Sequence, residues 1–240
     1  MLVIGQTVKR VHRKLWLTFR ASPAERRHAL VGPAHIWQME REFQIRFLKS
    51  VGLRPEHFLL DLGCGTLRGG IPIIKHLKPG HYYGVDVRQD VLSEATKEVA
   101  ENQLARKQPI LFLTDDVRSL SIDMRFDVIW AFDILYILSD DKLADCLSFA
   151  STHLKKTGVL YGNAMIGKRE DGWWDHGFPL IRREMSSYSL AAQLSGLIAE
   201  DMGTIESLGF GTGQKKHDEK WMLRFSRQSY LASESQRNGA

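Results

Sequence analysis

Hydrophobic positions near the N-terminus recur at the spacing of a helix. Residues 7–20 (TVKRVHRKLWLTFR) combine an apolar face with a basic one, and residues 34–51 repeat an apolar stripe that stops before Gly52. Between them, Ser22 and Pro23 suit the cap and the first turn of a new segment. We therefore expect amphipathic helices ahead of the main core.

From residue 57 the pattern changes to short apolar runs that alternate with helical stretches. Such alternation is typical of a parallel α/β sheet whose helices cover both faces. The predicted strands span residues 57–61, 81–86, 109–113, 126–131 and 158–163. The predicted helices span residues 68–77, 90–105, 140–154 and 186–199.

The C-terminal part carries two more apolar runs that lack helical spacing. Residues 204–210 (TIESLGF) and 220–227 (KWMLRFSR) are predicted to be strands, joined as a hairpin by a polar, glycine-rich segment. Residues 228–240 show no periodicity and are expected to form a mobile tail.

The composition of the 240 residues allows one sizeable core rather than two full domains. No apolar run reaches the roughly eighteen residues that span a bilayer, and residues 1–4 are too short for a signal-peptide core. We therefore expect a cytoplasmic protein without a transmembrane segment. Cys64 and Cys146 fit neither a disulfide framework nor a zinc pattern, so no metal site is predicted.

Positive charge is concentrated at the N-terminal end. Residues 1–50 contain ten Lys and Arg against three Asp and Glu, whereas the remainder is slightly acidic. A basic segment of this kind suits a lid, a dimer element or a surface that attracts anionic groups. Because its basic residues alternate with apolar ones, a lid or an interface is favoured over membrane binding.

The strongest local signal is FLLDLGCGTLRGG, residues 58–70. An apolar strand runs into Asp61, then Gly63 and Gly65 permit a tight turn and close approach of a ligand, and a helix follows. A dinucleotide fingerprint would place Gly or Ala three residues after Gly65, where this chain has Arg68. Pyrophosphate binding is therefore disfavoured.

This segment resembles motif I of the class I S-adenosylmethionine-dependent methyltransferases, an acidic residue followed by x-Gly-x-Gly. The resemblance implies that the turn approaches the methionine part of the cofactor, S-adenosylmethionine. The residues that it assigns to this part are Asp61, Gly63, Cys64 and Gly65. Many family members have a third glycine two residues after the second, and here that position is Leu67.

The end of the second predicted strand supports the resemblance. HYYGVDV (81–87) brings Asp86 21 residues after Gly65, where a carboxylate can accept hydrogen bonds from both ribose hydroxyls. Val87 follows it and is assigned to the same part of the cofactor site. NAD-binding proteins also have this acidic position, so it does not discriminate alone.

The third predicted strand leads into an acidic pair in LFLTDDVRSL (111–120). The resemblance implies that one aspartate accepts a hydrogen bond from the adenine amino group while an apolar neighbour lies on the ring. This favours Asp116 and Val117 over Asp115, which would then be a loop residue or a helix cap.

The segment RFDVIWAFDILYIL (125–138) resembles motif IV, where the methyl group meets the acceptor. The resemblance assigns Phe132 to the cofactor and brings Asp133 and Tyr136 to the reaction centre. Asp133 is a candidate base or acceptor contact, with a turn or cap as the alternative, and for Tyr136 the alternative is core packing. Ile137 stands where many small-molecule methyltransferases have histidine, which argues against a histidine base from this loop.

The terminal hairpin matches the family architecture, in which an antiparallel seventh strand lies beside the fifth. The expected fold is α/β: a Rossmann-like, doubly wound, mostly parallel seven-stranded sheet with a C-terminal antiparallel hairpin and extra N-terminal helices. The expected parts are a helical lid or interface segment (1–54), an S-adenosylmethionine-binding methyltransferase domain (55–227) and the tail (228–240).

Residues 168–188 lie outside the common core and are expected to form a loop over the mouth of the site. The aromatic residues offered as acceptor contacts are Trp173, Trp174 and Phe178. The alternative is that the tryptophans pin the loop to the core. Histidine, with an unperturbed pKa of about 6.5, suits proton abstraction at neutral pH. His176, beside Asp175, is the candidate general base, and His35 is the alternative.

The resemblance implies methyl transfer to an oxygen or nitrogen of an acceptor. The chain lacks the Asn-Pro-Pro-Tyr and Asp-Pro-Pro-Tyr motifs of amino-group methylases and the Pro-Cys nucleophile of cytosine methylation, so a small molecule is favoured over nucleic acid. The alternatives are a protein or RNA methyltransferase, a noncatalytic S-adenosylmethionine-binding partner protein and an NAD-dependent oxidoreductase. A homodimer is also open.

Overall fold

The computed structural model describes residues 22–32, 34–174 and 177–227. The helix predicted over residues 7–20 and the tail predicted over residues 228–240 lie outside them. Helix α1 (Pro23–His28) is capped by Ser22, whose hydroxyl accepts a hydrogen bond from the backbone N–H of Glu25. Ser22 and Pro23 therefore act as the sequence predicts.

Nine strands follow from residue 59 onward in the described part of the chain. They are β1 (Leu59–Leu62), β2 (Tyr82–Asp86), β3 (Ile110–Leu113), β4 (Phe126–Ala131), β5 (Leu154–Ala164), β6 (Glu170–Trp173), β7 (Pro179–Arg182), β8 (Leu197–Thr204) and β9 (Trp221–Arg227). Seven of them form one sheet in the order β3-β2-β1-β4-β5-β9-β8. Strands β1 to β5 are parallel, and β9 runs antiparallel between β5 and β8. The predicted Rossmann-like sheet is confirmed.

Helices cover both faces of this sheet. The remaining helices are α2 (Trp37–Ser50), α3 (Gly70–His76), α4 (Gln89–Glu101), α5 (Asp140–His153), α6 (Met185–Leu194) and the short α7 (Lys215–Asp218). Helices α2, α3 and α4 pack in one apolar cluster, and α5 and α6 pack in a second cluster on the opposite face. Neighbouring residues Leu59 and Leu60 of β1 enter different clusters, as the alternation of side chains along a strand requires.

The first strand of the C-terminal hairpin lies earlier than the sequence predicts. Strand β8 occupies Leu197–Thr204, whereas the segment predicted as a strand, 204–210, is mostly a helical turn at Glu206–Phe210. The helix predicted to reach residue 199 stops at Leu194, because Gly196 takes a left-handed backbone (φ +74°) that interrupts it. The apolar run after that glycine pairs with β9 instead.

The segment predicted as a loop over residues 168–188 contains a second, two-stranded sheet. Strands β6 and β7 pair as an antiparallel hairpin. This hairpin stands beside the point where the strand order reverses between β1 and β4. In open α/β sheets, ligands bind in the crevice at the carboxyl ends of such strands. No helix in the described part of the chain is long and apolar enough to cross a membrane.

Candidate active site

A cavity of about 830 Å³ opens at the carboxyl ends of β1, β2 and β4. Residues 30–32 and helix α2 line one side, and the β6–β7 hairpin and α7 line another. Both its volume and its mixture of apolar walls with a few polar groups are typical of small-molecule sites.

The turn after β1 approaches this cavity with left-handed backbone at Gly63 (φ +71°) and Gly65 (φ +58°). A Cβ atom on Gly63 would lie 2.0 Å from Cδ1 of Ile134, so a side chain there would force Ile134 to move and would also strain the left-handed backbone. Leu67 keeps a left-handed backbone (φ +62°) although it is not glycine, and its side chain is fully buried. Cys64 is buried in the same turn, and burial raises the pKa of its thiol.

Asp86 closes the turn from the end of β2. Its two carboxylate oxygens accept hydrogen bonds from the backbone N–H groups of Gly65 and Arg88, each at 3.0 Å. Burial raises the pKa of Asp86. The two backbone hydrogen bonds lower it by less, so the net shift is upward. The next residue, Val87, is exposed and lines the cavity. Both residues thus border the cavity, and their contact with a ribose stays a prediction.

Asp61 is a buried carboxyl group at the wall of the cavity. It accepts a hydrogen bond of 2.7 Å from the hydroxyl of Tyr82. Burial raises the pKa of Asp61 to about 7, with Asp86 adding to the shift, although the Tyr82 hydrogen bond opposes it.

The raised pKa of Asp61 makes its effect on stability depend on pH. The unfolded carboxyl has an ordinary pKa of 3.8, so the stabilising contribution of protonated Asp61 is fully present below pH 3.8. This contribution is lost as the pH rises through about 7. Asp61→Asn cannot ionise. Its free energy of unfolding relative to the natural protein should therefore rise by about 1.4 kcal/mol between pH 6 and pH 8 in urea titrations. An unchanged difference would contradict a buried, protonated Asp61.

The acidic pair after β3 lines the cavity together with Val117. The carboxylate of Asp116 caps a short turn by accepting from the backbone N–H of Arg118 and also pairs with the Arg118 guanidinium at 3.0 Å. These bonds lower the pKa of Asp116. Asp116 thus has the cap role that the sequence predicts for Asp115. Both aspartates border the cavity.

Asp133 lies in a buried charge network formed by Glu40, Arg68, Asp133 and Lys220. Its carboxylate pairs with Nη2 of Arg68 at 3.0 Å and with Nζ of Lys220 at 2.7 Å. Burial would raise the pKa of Asp133, but Lys220 and Arg68 outweigh it and hold the pKa well below the ordinary range. A carboxylate held so firmly as an anion is a weak base, so the structure favours a positioning role.

Two neutral side chains complete the surroundings of Asp133. The hydroxyl of Tyr136 donates to it at 2.8 Å, and the amide of Asn163 donates at 2.9 Å. Burial raises the pKa of Tyr136, and Asp133 raises it further. Tyr136 therefore serves as a hydrogen-bond donor at the cavity wall rather than as buried packing alone.

Glu40 brings helix α2 into the network. It pairs with the Arg68 guanidinium and lies 3.3 Å from Nζ of Lys220. Burial raises its pKa, yet Arg68 and Lys220 lower it more, so the net shift is downward. Glu40 also faces His217 of α7, with 3.4 Å between Oε1 and Nδ1. His217 is buried and lines the cavity.

Sequence reasoning missed the residues of α2 and α7 at this site. Glu40 carries the one available signal, because it is the one charged residue in a helical stripe that is apolar apart from Glu40 and Gln44. Arg68 is noticed in the sequence only as a departure from a dinucleotide fingerprint. His217 and Lys220 carry no local signal.

Aromatic side chains also line the cavity. Trp174 packs edge-on against Tyr136, with 6.1 Å between ring centroids, and Phe178 also lines the cavity. Trp173 is 72% exposed and does not belong to the lining. The proposed base His176 and its neighbour Asp175 lie outside the described residues. Phe132 lies at the cavity beneath Arg68 and Lys220, at 5.8 Å and 5.3 Å from its ring centroid.

Residues 22–32 form a strap whose last three residues line the cavity. Arg27 anchors it through ion pairs to Glu94, Glu98 and Glu101 of α4, at 3.0, 2.5 and 2.8 Å. Leu30 accepts a hydrogen bond of 3.0 Å from the Arg88 side chain through its carbonyl oxygen.

Arg27→Met should loosen this strap while keeping the packing of the side-chain stem. Amide hydrogen exchange in residues 22–32 is expected to accelerate about tenfold, because the segment loses its buried anchor while the core is untouched. Mass spectrometry of the corresponding peptide measures this. The matched variant Arg106→Met, at an exposed position, should leave the exchange unchanged. Equal protection in both variants would show that Arg27 does not hold the strap.

Comparison with known proteins finds similarity in the central part of the chain. Residues 60–160 match the family model described as a methyltransferase domain. YqeM of Bacillus subtilis, which is named as a methyltransferase, is 32% identical over 105 residues, or 42% of this chain. The match spans 40% of the length of that relative.

Solved structures match the fold at low sequence identity. An S-adenosylmethionine-dependent methyltransferase from Clostridium acetobutylicum superposes with a TM-score of 0.58 at 17% identity, covering 80% of this chain and 92% of its own. Magnesium protoporphyrin IX methyltransferase (ChlM) from Synechocystis, with bound S-adenosylmethionine, gives 0.59 at 15% identity and 81% coverage of both chains. At these identities the match establishes the fold alone.

Proposed function

We propose that this protein methylates an oxygen or nitrogen of a small-molecule acceptor, from the premise that residues 60–160 match the methyltransferase domain family model and that the chain has the fold of class I S-adenosylmethionine-dependent methyltransferases. The observation that carries this proposal is the cavity at the carboxyl ends of β1, β2 and β4, which the glycine turn and several aromatic side chains line together. Its cofactor is S-adenosylmethionine.

The side chains around the cavity fit this cofactor. A carboxylate has about four acceptor positions, and the backbone uses two at Asp86, which leaves two for ribose hydroxyls. The residues that would hold the amino-acid end are Asp61, Gly63, Cys64 and Gly65. Those for the ribose and adenine are Asp86, Val87, Asp116 and Val117, and Phe132 borders the methyl-bearing end.

The cofactor, when bound, supplies a methyl group that is already activated by a cationic sulfur. The protein then needs mainly to align the acceptor at about 3 to 3.5 Å and to exclude water. Trp174 and Phe178 supply apolar walls for the acceptor, and Tyr136 and Asp133 supply a polar contact that the charge network fixes in place. Trp173 lies outside the cavity lining and is therefore not part of this proposed acceptor contact.

A small acceptor is supported by the enclosure of the site. The strap lies on one side and the β6–β7 hairpin on the other, so a bulky polymer would have to displace one of them. The name of ChlM, a magnesium protoporphyrin IX methyltransferase, shows that this fold serves a small-molecule acceptor in another protein.

Label transfer from S-adenosylmethionine with a deuterated methyl group tests the proposal. The protein is incubated separately with a library of phenols, amines and carboxylic acids, with total RNA and with a mixture of proteins. We expect the label in at least one library compound, detected by mass spectrometry and absent with Asp86→Ala. Label only in RNA or protein would contradict the small-molecule acceptor, and no transfer at all would favour a noncatalytic binding protein.

A further inference from the structure

The helical turn α7 brings two lysines to the mouth of the cavity. Lys215 and Lys216 are both exposed and both line the cavity, together with the preceding Gln214. The ammonium of Lys216 lies 5.5 Å from the ring centroid of Trp174, at the tip of the β6–β7 hairpin. Both lysines therefore stand where a molecule that enters the cavity can meet them.

Two side chains hold the backbone of α7 in place. The carboxylate of Asp218 accepts hydrogen bonds from the backbone N–H groups of Thr212 and Gly213, at 3.0 and 2.8 Å. The ring of His217 is buried and packs edge-on against Phe43, with 5.3 Å between the ring centroids. The two lysines thus extend from an anchored backbone.

The carboxylates that line the cavity lie on other elements. Two of them belong to the charge network and are balanced there by Arg68 and Lys220. The others lie at the ends of β1, β2 and β3 and on α5: Asp61, Asp86, Asp115, Asp116 and Asp145. Among the described residues, neither the β6–β7 hairpin nor segment 214–220 contributes a carboxylate to the lining. The mouth beside α7 is therefore positively charged.

The lysines are suited to an anionic ligand. A cleft with charge of one sign and apolar walls concentrates ions of the opposite sign. A lysine ammonium has three donor positions, which fit carboxylate or phosphate oxygens. Lys215 pairs with Glu219 at 3.5 Å, and both side chains are more than half exposed. Such an exposed pair contributes little, so an anionic ligand can replace it at small cost.

Trp174 relates these cations to the polar contact proposed for the acceptor. Its ring centroid lies 5.5 Å from Nζ of Lys216 and 6.1 Å from the ring centroid of Tyr136. Tyr136 in turn donates its hydroxyl hydrogen to Asp133. A small molecule that covers the Trp174 ring can therefore reach the lysines with one end and Tyr136 with the other.

We propose that the acceptor carries an anionic group, a carboxylate or a phosphate, which Lys215 and Lys216 bind at the mouth of the cavity; this rests on the proposed function. The methylated oxygen or nitrogen belongs to another part of the same molecule, which lies against Trp174 and points toward Tyr136. The two lysines determine specificity and do not touch the transferred methyl group.

Label transfer with matched acceptors tests this specificity. The compounds are hydroxybenzoic and aminobenzoic acids, their neutral amides, and the corresponding hydroxyphenyl and aminophenyl phosphates, so that the carboxylate and phosphate arms separate the two anions. We expect kcat/KM to be higher for at least one anionic series than for the amides. Amides that are used as well as both anionic series would overturn the inference.

The double variant Lys215→Gln/Lys216→Gln should lower the preference for the anion about tenfold at low ionic strength, mainly through KM. The matched control is Lys75→Gln/Lys156→Gln, which removes the same charge from exposed positions outside the lining. This control should keep the preference. Equal loss in both double variants would assign the effect to net charge and contradict a site at α7.

The closing test observes the charge at the mouth without turnover, in protein saturated with S-adenosylhomocysteine. Iodide and caesium quench tryptophan fluorescence at constant ionic strength, and each is normalised to free N-acetyltryptophanamide. The share of Trp174 is the difference between the natural protein and Trp174→Phe. We expect iodide to quench this share at least about twofold better than caesium, and Lys215→Gln/Lys216→Gln to abolish the difference. Equal quenching, or better quenching by caesium, in the natural protein would overturn the inference.

Calorimetry with S-adenosylhomocysteine separates the two proposals. The natural protein and Lys215→Gln/Lys216→Gln should bind it with Kd values within about threefold, because the lysines act on the acceptor. Failure of the natural protein to bind would refute the proposed function and, with it, the inference that rests on it. Binding combined with a preference for amides or for caesium would refute the inference alone.

Discussion

Asp86→Ala is expected to weaken S-adenosylmethionine binding by about 100-fold or more. The substitution removes the carboxylate proposed to accept from both ribose hydroxyls, and a hydrogen bond to a charged group contributes about 1.5–3 kcal/mol. It also leaves the N–H groups of Gly65 and Arg88 without the acceptor that holds the glycine turn. Equilibrium dialysis with labelled S-adenosylmethionine measures the loss.

Asp90→Ala is the matched control for this substitution. Asp90 is also an aspartate near the end of β2 and pairs with Arg88 at 2.7 Å, but it is exposed and does not line the cavity. We expect its Kd to stay within about twofold of the natural value. Equal weakening by both substitutions would indicate that Arg88, rather than the Asp86 carboxylate, supports the site.

Asp133→Asn is expected to lower the free energy of unfolding by about 3–5 kcal/mol. Asparagine keeps the shape and tolerates the left-handed backbone at this position (φ +61°), so the main change is the lost charge. Arg68 and Lys220 then share Glu40 alone, and a buried cation without its partner costs about this much. Urea unfolding followed by tryptophan fluorescence gives the difference.

An exposed ion pair supplies the comparison for Asp133. Glu56 pairs with Lys78 at 3.2 Å, and both side chains are more than half exposed. Glu56→Gln should change the free energy of unfolding by less than about 1 kcal/mol. If Asp133→Asn cost no more than this surface change, the network would be solvated rather than buried, and its positioning role would be lost.

The fold was predictable because its signals are local. Apolar runs such as the one at β4 are buried on both faces of the sheet. The glycine turn has a left-handed backbone that few residues other than glycine adopt. The error at β8 has the same origin. Residues 186–199 suit a helix by composition, and only the backbone conformation of Gly196 divides the run between α6 and a strand.

The part of the cavity formed by the glycine turn was predictable for similar reasons, since Gly63, Gly65 and Asp86 lie at strand ends. The part formed by the charge network was not, because it forms from distant segments. Glu40 and Lys220 meet although 180 residues separate them. Nothing in the sequence around either residue specifies that contact.

The two tryptophans show that the type of a residue does not tell whether its side chain reaches the cavity. Trp173 and Trp174 are adjacent in an extended segment, where neighbouring side chains point to opposite faces. Only Trp174 reaches the cavity, and Trp173 lies on the outer side of the hairpin. Strand alternation therefore excludes equal roles for the pair, but without the β6–β7 pairing it does not tell which one faces inward.

Calorimetric titration of the natural protein with S-adenosylmethionine, S-adenosylhomocysteine and NAD is the most direct test of the central claim. We predict saturable binding of the first two ligands at one site per chain and no binding of NAD. The glycine turn, with Arg68 in place of a third small residue, disfavours a pyrophosphate. Binding of NAD without either sulfur compound would contradict the methyltransferase account.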